Sequence, residues 1–63
     1  MNSEAHHYWM TSIHHLRVEL ERLTDAVEAE RRAECFRQIE AIEGTLRTLR
    51  ASLRHNMPDE QKN

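Results

Sequence analysis

Residues 9–27 read WMTSIHHLRVELERLTDAV, and their apolar side chains return at alternating intervals of four and three positions. The members of this first apolar row are Trp9, Ile13, Leu16, Leu20, Leu23 and Val27. Intervals of four and three place side chains on one stripe of an α-helix, as at the a and d positions of a coiled coil. The region is therefore predicted to be an amphipathic helix.

A second apolar row with the same intervals occupies residues 35–53, CFRQIEAIEGTLRTLRASL. Its members are Cys35, Ile39, Ile42, Leu46, Leu49 and Leu53. The two rows are out of phase, because continuing the first would place Glu30, Glu34 and Arg37 in the apolar stripe. In one unbroken helix the stripe would shift by roughly 160° between the rows. A turn within residues 28–33 is the simpler explanation, and one long kinked helix is the alternative.

The predicted fold is all-α: an antiparallel two-helix hairpin in residues 1–57, followed by a frayed polar tail in residues 58–63. The expected bounds are about 4–28 for helix 1, about 29–33 for the turn and about 34–56 for helix 2. Asn2 or Ser3 can cap helix 1. Pro58 is expected to end helix 2, because the residue before a proline disfavours the helical conformation.

A chain of 63 residues allows one domain at most. Two helices alone can bury their apolar rows only against each other, which leaves large side chains half exposed. A homodimer that forms a four-helix bundle would cover them, so a second copy of the chain is a predicted partner. The residues expected at the core of this dimer are Leu20, Leu23, Ile39, Ile42 and Leu46.

The sequence does not predict export or membrane insertion. Its longest purely apolar run is Tyr8-Trp9-Met10, whereas a membrane-spanning helix needs about 20 residues. The one cysteine, Cys35, excludes an intrachain disulfide and favours a reducing compartment. The expected location is the cytoplasm, with no membrane partner.

Catalysis is not expected either. The sequence shows no recognisable Ser/His/Asp set, glycine-rich phosphate loop or pair of catalytic acids. Cys35 lies within an apolar row, which is typical of a small buried side chain and not of an activated nucleophile. The chain is therefore predicted to be no enzyme and to need no cofactor.

Five histidines are the residues with most potential for metal or proton chemistry. An antiparallel hairpin would return His55 towards His6 and His7, where imidazoles can bind zinc or respond to pH. His7 and His14 are about 10 Å apart along a helix, too far to share an ion. A metal or pH sensor is one functional alternative, and solvated histidines are the ordinary explanation.

Positive charge is concentrated in the second half of the chain. Residues 1–30 carry two Arg and six acidic residues, a net charge of −4, and residues 31–63 carry seven basic and five acidic residues, a net charge of +2. Basic side chains near the aromatic residues of helix 1 can bind nucleic acid, which is the other functional alternative. The candidate contacts to anions or nucleic acid are Arg17, Arg47, Arg50 and Arg54.

Small residues follow the back of helix 2 and indicate a surface that another backbone could approach closely. Gly44 is among them, although glycine in a helix interior costs about 1 kcal/mol relative to alanine. Apolar and aromatic residues of helix 1 are further candidates, because interface cores favour Tyr, Trp and Met. The candidate partner-binding residues are Tyr8, Trp9, Met10, Val18, Ala41, Gly44, Thr48 and Ala51.

The length, the single cysteine just after the predicted turn and the polar acidic tail resemble the Rop-type RNA-binding helical hairpins. The resemblance covers the architecture of the whole chain and implies a dimerising hairpin. The family's RNA-contacting pattern of basic and amide residues is not reproduced at Tyr8, His15, Glu19 and Arg22. The chain also resembles small phage and bacterial helical regulators, which implies a non-catalytic inhibitor or adaptor of a transcription factor or enzyme. Binding to another protein is therefore the predicted function.

Overall fold

The structure is a computed structural model that describes residues 3–58 as two α-helices joined by a short turn. Helix α1 runs Ser3–Glu28 and helix α2 runs Arg32–Asn56. The two helices pack antiparallel against each other, which confirms the predicted all-α hairpin and excludes one long kinked helix. Helix α2 begins two residues before its predicted start at about 34. The predicted cap Asn2 and the tail residues 59–63 lie outside the described residues.

Helix α1 ends in a Schellman motif, although the turn contains no glycine. The Arg31 N–H donates to the carbonyl oxygen of Ala26 at 2.9 Å, and the Glu30 N–H donates to that of Val27 at 3.0 Å. Glu30 carries the left-handed conformation of this motif, with φ of 56°. The chain therefore reverses without Gly or Pro, and α2 begins immediately after Arg31.

Replacing Glu30 with glycine is expected to stabilise the hairpin by up to about 1 kcal/mol. The left-handed conformation costs a residue with a Cβ atom roughly 1–2 kcal/mol, whereas glycine adopts it readily. The melting temperature, followed by circular dichroism at one fixed protein concentration, should rise by several degrees. Ala29→Gly is the matched control, because Ala29 has no positive φ, and it should give no gain. A melting temperature for Glu30→Gly at or below that of the wild type would show that the left-handed conformation of Glu30 does not destabilise the hairpin.

Glu34 anchors the first turn of helix α2. Its carboxylate accepts a hydrogen bond from Gln38 Nε2 at 2.8 Å and pairs with the guanidinium of Arg37. The bond from Gln38 is the main cause that lowers the pKa of Glu34 below its ordinary value, and the charges of Arg37 and Arg31 add to it. The ionised Glu34 carboxylate therefore contributes to the stability of the folded chain at neutral pH, and this contribution is lost as the pH falls through the lowered pKa.

Pro58 follows the end of helix α2. Asn56 is its last helical residue, and Met57 has an extended backbone with φ of −97° and ψ of 128°. The Met57 N–H still donates to the carbonyl oxygen of Leu53 at 3.0 Å. The helix thus ends where the proline ring disfavours a helical conformation of the preceding residue.

Only half of each apolar row turns towards the other helix. By their seven-residue spacing from the buried Trp9 and Leu49, the inward members are Trp9, Leu16, Leu23, Cys35, Ile42 and Leu49. The other members point sideways and are Ile13, Leu20, Val27, Ile39, Leu46 and Leu53. Leu20 is 51% and Leu46 is 47% exposed, whereas Leu49 is 9% exposed. The single hairpin therefore leaves large side chains of both rows about half exposed, as expected for two helices that can pack only against each other.

Small and polar side chains complete the contact between the helices. They stand three positions after the inward apolar residues and are Ser12, Glu19, Ala26, Gln38, Thr45 and Ser52. The Trp9 indole N–H donates to Ser52 Oγ at 3.0 Å, and the Thr45 hydroxyl lies 3.2 Å from Glu19 Oε2. These two contacts align the helices, with residue 9 beside residue 52 and residue 19 beside residue 45.

Candidate functional site

The sideways members of both apolar rows lie on one side of the hairpin. Each of them stands four positions after an inward residue, as Ile13 follows Trp9 and Leu46 follows Ile42. An antiparallel helix pair has an approximate two-fold axis perpendicular to the plane of the helices. Residues that stand the same number of positions after an inward residue therefore lie on the same side of this plane in both helices. We call this surface the apolar face, and its residues are Ile13, Leu20, Val27, Ile39, Leu46 and Leu53.

Further large apolar side chains border the apolar face. Met10 and Phe36, both exposed, stand one position after inward residues and so flank the face on its outer edges. Val27, Cys35 and Phe36 line a depression of about 260 Å³ next to the turn. The Arg32 guanidinium covers the Phe36 ring at 5.0 Å from its centroid, which partly shields this edge from water.

A groove of about 490 Å³, which we call the polar groove because most of its lining residues carry a polar group, runs along the opposite side of the hairpin. It is lined on α1 by Tyr8, Thr11, Ser12 and His15 and on α2 by Glu40, Ala41, Gly44, Thr45 and Thr48. The structure therefore places Tyr8 beside Ala41, Gly44 and Thr48 in one groove, and their role in partner binding stays a prediction. A Cβ atom on Gly44 would meet nothing within 4 Å, so the groove is open at its middle.

The other predicted partner contacts lie elsewhere. Trp9 is 4% exposed and its ring packs between the helices, so the single chain does not present it on a surface, and its predicted contact with a partner stays a prediction. Met10 borders the apolar face. Val18 lines a depression on the outside of α1 that also includes Arg22, and Ala51 is exposed outside the groove.

The residues predicted for the dimer core differ in exposure within the single chain. Leu20 and Leu46 are exposed on the apolar face, and Ile39 on the same face is half-buried. Leu23 and Ile42 are half-buried members of the inward rows. The structure thus distributes the predicted core between the hairpin interior and a surface that the single chain leaves open.

The predicted anion contacts are exposed but do not form one cluster. Arg47 and Arg50 line a depression of about 540 Å³ together with Glu43 and Leu46. Arg17 and Arg54 are exposed and do not line that depression. The last turn of α2 holds Arg54 and His55, where positive charge is favourable for the helix dipole.

The histidines are exposed, and the structure does not assemble them into a metal site. The His6 ring meets the Trp9 ring edge-on, with the centroids 6.4 Å apart and an angle of 71° between the planes. Within residues 3–58, no group of three or more His, Cys, Asp or Glu side chains has an arrangement that could hold a metal ion. The predicted candidate ligands His6, His7 and His55 are therefore not brought together as a triad.

The polar contact between the helices was not anticipated from the sequence. The sequence pattern that could have predicted this contact is a small or polar residue three positions after each inward apolar residue. Ser12 and Glu19 follow this pattern on helix α1, and Thr45 and Ser52 follow it on α2. Glu19 Oε1 is buried and has no hydrogen-bond partner among the described residues. One side of the hairpin interior is therefore polar, which leaves the apolar face as the side with unused hydrophobic surface.

Comparisons with protein-family models, with curated proteins and with solved structures found no match for this chain. The resemblance to Rop-type hairpins and to small helical regulators stays a prediction. In the described part of the chain, neither helix is long and apolar enough to cross a membrane.

Proposed function

We propose that the chain is a small non-catalytic regulatory protein, an inhibitor or adaptor, that acts by binding other α-helices through its apolar face. The observation that carries the proposal is that each helix has a row of large apolar side chains on the apolar face, which the single chain leaves exposed or half-buried. Leu20 and Leu46, near the middle of the two rows, are 51% and 47% exposed. Both the second copy and the other protein predicted as partners could use this face.

Leaving the apolar face in water is energetically unfavourable. Complete burial of one leucine or valine side chain contributes about 1.5–3 kcal/mol. Soluble proteins that function as monomers rarely expose large contiguous apolar patches, which are typical of interaction sites. Burial of the exposed part of the apolar face therefore provides a strong driving force for association.

The shape and the border of the face suit a helical partner. The apolar face consists of two antiparallel rows of apolar side chains, and the side chains of another helix can pack against both rows. Arg17, Glu43 and Arg50 are exposed beside the apolar residues and supply a charged border. An apolar centre with a polar rim is the usual organisation of a protein–protein interface.

The test is affinity capture from a lysate of the source organism with matched charge substitutions. Immobilised wild-type protein would be compared with Leu46→Glu on the apolar face and with Ala51→Glu, an exposed control on the same helix. Gly44→Arg fills the polar groove and reports on that second surface. Circular dichroism of each variant verifies that it is folded before the captured proteins are quantified.

The expected result is a stoichiometric partner that wild type and Ala51→Glu retain and Leu46→Glu loses. Loss with Gly44→Arg as well would show that the partner also uses the groove. Equal capture by wild type and Leu46→Glu would contradict the proposal, as would the absence of any retained protein. Binding of RNA in a gel shift, unaffected by Leu46→Glu, would instead favour the nucleic-acid alternative.

A further inference from the structure

We propose that the occupant of the apolar face is a second copy of this chain, placed so that both turns lie at the same end of a four-helix bundle. The two copies would be related by a two-fold axis parallel to the helices. Helix α1 of each copy would then pack against α2 of the other, again antiparallel. This inference rests on the proposed function, since it names the helices that bind the apolar face.

The direction of the apolar rows places the bundle axis outside the single chain. In a four-helix bundle, the two apolar rows of each helix lie on either side of the direction towards the bundle axis. In this hairpin one row of each helix turns inwards and the other turns sideways. At roughly 100° per residue, the sideways row is turned by about 40° from the inward row, and the residues three positions after the inward row, such as Ser12 and Thr45, are turned by about 60° the other way. Because the helices contact each other between the inward row and these residues, the direction midway between the two apolar rows leaves the plane of the two helices by about 50°. Both helices therefore point towards a line on the apolar side, where a second hairpin completes the core.

The side of the hairpin that carries the apolar face has a footprint of the size buried in a stable dimer interface. A helix of 25 residues is roughly 37 Å long, and the hairpin is 21 Å wide. Their product is about 780 Å² for each copy, close to the roughly 800 Å² that each partner buries in an interface of standard size. One further hairpin of the same length thus covers the whole face.

A second copy is favoured over an unrelated helix because the single hairpin buries few hydrophobic side chains. Its buried hydrophobic residues are Trp9, Ala26 and Leu49, and none of the described side chains is fully buried. Chains of this size generally need oligomerisation or another addition to a single small core. A partner on which folding depends must be present whenever the chain is made, and another copy of the chain meets that condition.

The charged border selects the arrangement with both turns at one end. Arg17 flanks the apolar face on α1 and Glu43 flanks it on α2, at the same level of the hairpin to within about one helical turn. When α1 packs against α2 of the second copy, each Arg17 faces Glu43 of the second copy, and symmetry repeats this pair. When the turns lie at opposite ends, α1 of one copy packs against α1 of the other. Arg17 is close to the midpoint of α1, so the Arg17 side chains of the two copies then approach each other. Like charges in an interface disfavour that arrangement.

The arrangement leaves the polar groove on the outside of the bundle. The groove lies on the side opposite the apolar face, so each dimer presents two identical grooves.

Charge reversal at the border tests the pairing without changing the apolar core. Arg17→Glu should weaken dimerisation roughly tenfold, because it creates two like-charged contacts with Glu43. The double variant Arg17→Glu with Glu43→Arg should recover most of the wild-type affinity. Arg22→Glu is the matched control: it reverses the same charge on the outer side of the same helix and should leave dimerisation unchanged. Sedimentation equilibrium at several concentrations supplies the dissociation constants, and the wild type should have twice the 7.5 kDa mass of the chain.

A distance measurement determines the relative direction of the two copies. Cys35→Ala removes the native thiol, and Glu30→Cys introduces a spin label at the exposed turn. Turns at one end should give an intermolecular distance below about 30 Å by pulsed electron resonance. Turns at opposite ends would be separated by at least the helix length of roughly 37 Å.

The outcomes separate this inference from the function on which it rests. A folded 7.5 kDa monomer at tens of micromolar would overturn the second copy as occupant and leave the apolar face for a different protein. A dimer with the longer label distance, or an Arg17→Glu variant no weaker than Arg22→Glu, would overturn the arrangement. A Leu46→Glu variant that dimerises as well as the wild type would overturn both this inference and the proposed use of the apolar face.

Discussion

Replacing Trp9 with alanine is expected to unfold most of the protein at room temperature. Trp9 is 4% exposed and is the largest side chain between the two helices. Truncating a buried tryptophan costs about 3–5 kcal/mol, and a core of this size rarely supplies more than that in total. Far-ultraviolet circular dichroism should show the loss of helix, and urea titration of the wild type supplies the reference stability.

Two milder substitutions separate the packing of Trp9 from its hydrogen bond. Trp9→Phe keeps an aromatic ring but removes the N–H that donates to Ser52 Oγ. Ser52→Ala removes the acceptor, and each of these changes should cost about 1 kcal/mol. A Trp9→Ala variant with the helix content and melting temperature of the wild type would show that the indole is not part of the hairpin interior.

Leu49→Ala is expected to have the second large effect, and Leu46→Ala is its matched comparison. The two leucines are three positions apart on α2, yet Leu49 is 9% exposed and Leu46 is 47% exposed. Leu49→Ala should therefore cost about 2–5 kcal/mol at every protein concentration. Leu46→Ala should mainly weaken the association of two chains, so the decrease in melting temperature that it causes should depend on protein concentration.

The measurement is thermal unfolding of both variants over a hundredfold range of protein concentration. A Leu49→Ala variant no less stable than the wild type would contradict its position between the helices. A Leu46→Ala variant that melts like the wild type throughout the range would count against burial of Leu46 by any copy of the chain.

The helices and their ends could be predicted from the sequence alone. The intervals of four and three in both apolar rows, the phase break between residues 27 and 35, and Pro58 all report on local conformation. The start of α2 was expected about two residues too late, because the Schellman motif at Glu30 reverses the chain without the glycine that usually marks it. A tight turn of this kind depends on a backbone conformation that a glutamate shows only in the folded chain.

Which of the candidate contact residues share one surface could be predicted only in part. Tyr8, Ala41, Gly44 and Thr48 were expected to contact a partner, and they share one groove. Trp9 was expected there as well, but it lies in the interior, because an aromatic ring in an apolar row can point either way.

Helix formation follows from the sequence because backbone hydrogen bonds and the spacing of apolar side chains are local properties of each segment. Which half of an apolar row faces inwards is not local, since it depends on the rotation of each helix about its own axis. That rotation is set by contacts such as Trp9 with Ser52 and Glu19 with Thr45, which join residues far apart in the chain. The tertiary structure alone therefore determined that Leu20 and Leu46 stay on an open apolar face.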